Sequence, residues 1–287
     1  MKLNKKMKLV FFLVAVFLIG LAVPSYSWTK KNVKEIETFY NSKLSPIIMI
    51  PGSSATENRF DGLVRKLNQD RHGAKHSLLK VKVWNNGRIT FDGKIKKNDN
   101  EPIIVIGFEN NNDGYSNIKK QTKMMNQAFE ALQNKYNFNN FKGLAHSNGG
   151  LIYTAFIENY LSDYDVKINS LMTIGTPYNF TETNIKNKSV MLADFIAAKK
   201  NIPSTLHVYS VAGTITYDSD ELVPDASVSA GKYIYQNQAK SYTEITVTGE
   251  DAQHSDLPTN DEVVELVKQH IEGQGVRKKQ KTKLEPQ

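Results

Sequence analysis

Apolar positions along the chain fall into two alternating patterns. Short apolar runs, "PIIMI" (46–50), "PIIVIGF" (102–108), "FKGLA" (141–145) and "INSLMTIGTP" (168–177), suit strands buried on both faces. "HVYSVAGT" (207–214) and "YTEITVTG" (242–249) complete a set of core strands. Between the runs lie segments with helical spacing. In "TENRFDGLVRKLNQD" the residues Phe60, Leu63, Val64 and Leu67 share one stripe, and "SNIKKQTKMMNQAFEALQNKYN" turns Ile118, Met125, Phe129 and Leu132 inward. A further helix is predicted from about Gly149 to Leu161, and "NDEVVELVKQHIE" closes the domain. "LLKVKVWNNGRITFDGKIKK" alternates residue by residue, and its Asn86-Gly87 and Asp92-Gly93 steps read as hairpin turns. Strands alternating with helices predict one doubly wound, mostly parallel α/β domain over residues 28–275, with an antiparallel hairpin near its N-terminal side. The long mixed segment 178–203 joins two core strands. Its stretch "MLADFIAAKK" predicts a helix whose apolar residues Met191, Leu192, Phe195 and Ile196 either partly cover a site or pack on the sheet as a plain crossover.

The first thirty residues break this pattern. "MKLNKKMK" is basic, and Leu9 to Val23 is uncharged and almost wholly apolar, ending at Pro24 with the small residues Ser25 and Ser27 beyond. That order of n-region, h-region and cleavage site predicts a signal peptide over residues 1–27. The apolar run makes roughly 22 Å of helix, short of the about 30 Å of a bilayer core, which favours cleavage over anchoring. No cysteine occurs in the 287 residues, so lipid attachment at a cysteine, disulfides and thiolate metal sites are all excluded.

The formal net charge of +8 is located at the ends. Lys2, Lys5, Lys6 and Lys8 carry half of it, and the tail 276–287 carries the rest through Arg277, Lys278, Lys279, Lys281 and Lys283 against Glu285. The body between them is close to neutral, without the basic face that nucleic-acid binding needs. The tail is expected to be disordered, with peripheral contact to an anionic membrane or cell-envelope surface as its minor use.

One polar turn does not fit core packing. "GLAHSNGG" (143–150) places His146, Ser147 and Asn148 between a buried strand and a helix, with Ala145 and Gly149 two residues on either side of the serine. Small residues at those spacings let a strand turn sharply into a helix and expose one side chain. This is the nucleophile elbow, G-x-S-x-G in its usual form, with alanine replacing the first glycine. A serine needs a base, and the base an orienting acid. Three histidines follow. His207 opens a strand and His270 lies in the last helix, while His254 sits in the polar loop "GEDAQHSDLP" after the last strand, where a base belongs. His146 is read as shaping the elbow. The loop "GTITYDSDELVPDASVSAG" offers Asp218, Asp220, Glu221 and Asp225 as acids. For an oxyanion, the N–H of Asn148 is one expected donor. The other comes from "PGSSAT", with Ser53 preferred and Ser54 next. "HGAKH" sets His72 and His76 four apart, but Gly73 disfavours a helix there and no Glu follows the first His, so no metal pair is expected.

Taken in order, "PIIMIPGSSAT", "PIIVIGFENN", "AHSNGG", "IGTPYNF", "SDELVP" and "QHSDL" resemble the exported α/β-hydrolases of Gram-positive bacteria, a lipase-like domain of unknown function. The resemblance covers roughly residues 45–270. It implies an α/β-hydrolase fold, a Ser-Asp-His triad, no cofactor and a small-molecule or lipid acyl substrate. Among the candidate acids it falls on Asp220; Asp225, beyond Pro224, is the next choice. Two departures are visible. Pro51 stands where histidine often precedes the glycine, and Asn148 stands where methionine or glutamine is common. The expected activity is a serine esterase of the cell surface or exterior. A non-catalytic binding protein and an acyltransferase on the same fold are the alternatives. The export reading has a direct consequence: the mature protein begins near Trp28. Intact mass of the secreted protein checks this, and a membrane-bound product that keeps residues 1–27 contradicts it.

Overall fold

A computed structural model describes residues 5–69 and 75–272. His72 and the basic tail 276–287 lie outside the described residues. The described residues fall into two units, divided between Ser42 and Lys43.

The first unit is one long helix, α1 (Lys5–Tyr40), with no buried residue and with Pro24 inside it. The apolar run ends at Pro24, but the helix continues through it into the polar segment beyond, although proline removes one N–H and crowds the preceding turn. The helix is long and apolar enough to cross a membrane, and its place near the N-terminus is equally compatible with a signal sequence.

The second unit is built on an eight-stranded sheet in the order β3-β2-β4-β1-β5-β6-β7-β8. The strands are β1 (Ile47–Ile50), β2 (Leu78–Val83), β3 (Ile89–Gly93), β4 (Ile103–Phe108), β5 (Asn140–His146), β6 (Lys167–Ile174), β7 (His207–Thr214) and β8 (Ser241–Thr248). All neighbours are parallel except the edge pair β2 and β3, joined by the turn at Asn86-Gly87. The helices are α2 (Asp61–Gln69), α3 (Tyr115–Tyr136), α4 (Asn148–Asn159), α5 (Val190–Ala198), α6 (Asp225–Ser229), α7 (Lys232–Tyr235) and α8 (Asp261–His270). The short helix α6 lies in a stretch whose sequence read only as loop, and α7 follows directly after it.

Two cores sit on the two faces of the sheet, and the pleat sorts side chains between them. On one face Ile48, Ile50, Ile104 and Ile106 pack against α3, α4 and α5 through Met125, Phe129, Phe156 and Leu192. On the other, Ile47, Met49, Ile103 and Val105 meet α2 and α8 through Leu63, Leu67, Val263 and Val267. This two-sided burial explains why these strands read as unbroken apolar runs. Helix α5 belongs to the first core, with Met191, Leu192 and Phe195 buried. It is the plain crossover helix of the two alternatives, not a cover.

Parallel order brings the carboxyl ends of β1, β5, β6, β7 and β8 to one edge of the sheet, where ligand sites of open α/β folds form. The β5–α4 junction is the tightest point of that edge. A Cβ at Gly149 would lie 2.2 Å from Ile50 O and 2.7 Å from Pro51 O. Gly149→Ala therefore forces backbone apart, and a loss of about 2 kcal/mol or more is expected, read from the urea midpoint. An unchanged midpoint would mean the strand and helix have slack.

Candidate active site

Strand β5 delivers Ser147 and α4 begins at the next residue. The serine backbone adopts φ 56 and ψ −134, a strained conformation for a non-glycine residue. Three hydrogen bonds hold it: Ser147 N–H donates to Ile174 O at 2.8 Å, and Gly150 N–H and Thr176 Oγ1 each donate to Ser147 O at 3.0 Å. Ser147 precedes the first turn of α4, yet its hydroxyl makes no capping bond. It lies instead 2.9 Å from His254 Nε2. On the other side of the ring, His254 Nδ1 is 2.7 Å from Asp220 Oδ2.

Each partner is fixed by its own loop. His254 follows β8, and its N–H donates to Asp220 O at 3.0 Å, tying the two loops together. Asp220 is almost fully buried, at 1% exposure. Its other oxygen, Oδ1, accepts from Leu222 N–H at 3.1 Å and Val223 N–H at 2.7 Å. This turn aims Oδ2 at the imidazole, and with Nδ1 donating to a carboxylate, Nε2 is left unprotonated toward the serine. Among the described residues, Asp220 is the candidate acid whose carboxylate is hydrogen-bonded to His254. Glu221 accepts from Gln253 Nε2 at 2.6 Å, and Asp225 opens α6, where its N–H donates to Asp218 O at 2.8 Å. The other histidines are also accounted for. His207, at the start of β7, is 2.8 Å from Ser241 Oγ, and His270 stacks on Tyr209. His76 is buried, with Nε2 2.7 Å from Glu272 Oε1. Among the described residues, no group of three or more His, Asp and Glu is arranged to hold a metal.

The loop after β1 lies against the serine. A Cβ at Gly52 would come within 2.6 Å of Ser147 Cβ, so only glycine lets this backbone pass. Ser54 N–H is spent on Asn111 O at 2.8 Å, which removes the second choice of oxyanion donor. Among the described residues the N–H groups of Ser53 and Asn148 meet no protein acceptor. The Asn148 side chain donates to Ser53 Oγ at 2.6 Å and to Asp113 Oδ1 at 2.6 Å. A cavity of about 770 Å³ opens over the serine. Ser53, Arg59, Asp113, Phe180 and Leu222 line it together with Ser147 and His254.

Two lining residues gave no sequence signal, because their roles depend on contacts distant in the chain. Arg59 donates through Nη2 to Ser255 O at 2.5 Å and through Nε to His146 Nδ1 at 3.5 Å. Asp113 sits in the loop between β4 and α3. His146 is buried beneath the triad, its ring 4.7 Å from that of His254, and its Nε2–H donates to His254 O at 2.9 Å. Burial, then the neighbouring His254 and Arg59, lower the His146 pKa well below the usual value, so it is a neutral strut at neutral pH.

The alpha/beta hydrolase of unknown function (DUF915) family profile matches residues 34–274. The chain belongs to this family. Its structure resembles that of a proposed cell surface hydrolase from Lactobacillus plantarum WCFS1, with 50% sequence identity and a TM-score of 0.73 over 79% of this chain and 91% of that one. It also resembles the product of gene lin2722 from Listeria innocua, with 28% identity and a TM-score of 0.74 over 82% and 96% of the two chains. No curated protein matches the chain. Both the α/β-hydrolase family and the α/β-hydrolase fold expected from the ordered motifs are thus established.

The neutral His146 of this family member gives stability a pH dependence. Below about 6.5 the unfolded chain protonates this histidine and the native state does not, so stability falls as pH drops. His146→Gln should remove up to about 1.4 kcal/mol per pH unit of that slope between about pH 4.5 and 6.5, measured by urea unfolding. An identical slope in the variant would mean that His146 takes up its proton inside the fold.

Proposed function

We propose that this α/β-hydrolase is a serine hydrolase acting outside the cytoplasm, cleaving an ester or similar acyl substrate through an acyl-enzyme. The observation that carries the reading is the unbroken chain from Ser147 Oγ through His254 to the buried Asp220 carboxylate, at 2.9 and 2.7 Å. In this reading His254 Nε2 takes the serine proton as Oγ attacks the carbonyl carbon, and the imidazolium formed is stabilised by Asp220. The carbonyl oxygen, now negative, enters the space before the N–H groups of Ser53 and Asn148. His254 then returns the proton to the leaving alcohol. Water, activated by the same imidazole, attacks the acyl-enzyme, and the acid product leaves with Ser147 restored.

A cavity of about 770 Å³ suits a small-molecule acyl substrate, and Phe180, Leu222 and Val223 supply its apolar wall. The near-neutral body lacks the net positive charge that favours nucleic-acid binding. Export is supported by the N-terminal apolar helix, and the Lactobacillus plantarum relative is described as a cell surface protein. Residues 1–27 would then be the signal peptide.

The test is active-site labelling. A fluorophosphonate should modify the wild type at Ser147, and Ser147→Ala should abolish labelling without changing the melting temperature. Asp220→Asn should lower turnover of an aryl ester by about three to four orders of magnitude, since the amide cannot hold the required tautomer. Labelling of Ser147→Ala at the wild-type rate would refute the assignment, and so would an inactive Asp225→Asn beside an active Asp220→Asn.

A further inference from the structure

Asp113 is a charge in the pocket that triad chemistry does not use. It follows β4 and lines the same cavity as Ser147. One carboxylate oxygen, Oδ1, accepts from Gly114 N–H at 2.7 Å and from Asn148 Nδ2 at 2.6 Å. Asn148 is itself buried, and the same Nδ2 donates to Ser53 Oγ at 2.6 Å. The carboxylate is therefore anchored one side chain away from both residues whose N–H groups face the proposed oxyanion position. A fixed negative charge there opposes the negative charge that develops on the substrate oxygen. Orienting Asn148 does not require a charge, because a neutral amide oxygen also accepts a hydrogen bond.

The other charged or titratable side chains lining the pocket are met within the protein. His254 faces the buried Asp220 behind it. Arg59 donates to Ser255 O and His146 Nδ1, and Asp256 is its nearby counter-charge. Among the described residues Asp113 has no ion-pair partner, and it is exposed to the cavity. Resting on the serine-hydrolase reading, we propose that Asp113 makes the site selective for esters that carry a positive charge close to the scissile carbonyl. The substrate cation supplies the counter-charge that the protein omits. With a neutral ester the carboxylate disfavours the oxyanion; with a cationic one that repulsion is cancelled and replaced by attraction. The charge is an ammonium group, carried either on the acyl side, as in an aminoacyl ester, or on the alcohol side, as in an amino-alcohol ester.

Two pairs of esters matched in shape test this and separate the two sides. Acetylthiocholine against 3,3-dimethylbutyl thioacetate varies charge on the alcohol side. The glycine and propionate esters of one aryl alcohol vary it on the acyl side. At about 0.05 M salt, the wild type should favour the charged member of one pair by about tenfold in kcat/KM, which is about 1.4 kcal/mol. The preference should shrink at about 0.5 M salt, where exposed charges are screened. Asp113→Asn keeps an oxygen acceptor for Gly114 and Asn148 but removes the charge. Its charged-to-neutral ratio should fall to about one, and its turnover of the neutral ester should rise; a melting temperature near wild type shows that the variant is folded. Equal rates on both members of both pairs in the wild type overturn the proposal. Equal loss on charged and neutral members in Asp113→Asn also overturns it, because Asp113 then acts only by orienting Asn148. A protein that hydrolyses none of the four esters and leaves Ser147 unlabelled by a fluorophosphonate fails as a serine hydrolase, and the inference falls with it. One that labels at Ser147 and shows no charge preference fails on this point alone.

Discussion

The end of β5 has no room for a side chain on the residues packed around Ser147, and the candidate site is built on that constraint. Gly149 lies against the carbonyls that end β1, and Gly52 lies against Ser147 itself. These contacts force the strand to turn within one residue, so Ser147 takes a positive φ and its hydroxyl leaves the helix axis. The same contacts set the distance between the β1 loop and the start of α4. That distance decides whether the N–H groups of Ser53 and Asn148 converge on one point. The alanine at position 145 lies within β5, in register with Ile50 of β1, two residues before the turn, while the backbone approach that leaves no room for a Cβ is at Gly149.

The loop after β1 is fastened at both ends by polar contacts. Near its start, Asn148 Nδ2 holds Ser53 Oγ. Near its end, Arg59 reaches the backbone of Ser255 and the ring of His146. His146 in turn braces the carbonyl of His254. A displacement of this loop would disturb the oxyanion side and the base side together. His146 serves here because burial keeps it neutral. A positive charge on His146 would oppose the proton transfer proposed for His254.

The strands were legible because two-sided burial writes itself as unbroken apolar runs, and β1, β4 and β5 fall within a residue or two of their predicted bounds. The serine and the histidine were legible because each is a polar residue at a strand end, where this fold exposes side chains. Residues that act across the chain were not. Arg59 touches Ser255, 196 positions away, and nothing near Arg59 in sequence signals it. Asp113 lies in "ENNNDG", which reads as an ordinary polar loop. The candidate acid was ambiguous for the same reason: Asp218, Asp220, Glu221 and Asp225 lie in one loop, and hydrogen bonds from Leu222 and Val223 are what turn Asp220 toward His254.

Helix α4 carries the consequence of the tight turn into the rest of the fold. Every residue from Asn148 to Glu158 is buried, including the carboxyl of Glu158, whose Oε1 has no hydrogen-bond partner. Burial pushes the Glu158 pKa up to about 9, so at neutral pH this group stays protonated and puts no charge into the core. It costs stability as pH rises from about 4.5 to about 9, since the unfolded chain releases a proton that the native state retains. A helix enclosed on all sides cannot shift without breaking the core that contains Phe129 and Phe156. The serine at its start and the Asn148 amide are therefore held by the same packing that buries Glu158. Rigidity at that point matters because a preorganised donor stabilises an oxyanion only if it need not move to meet it.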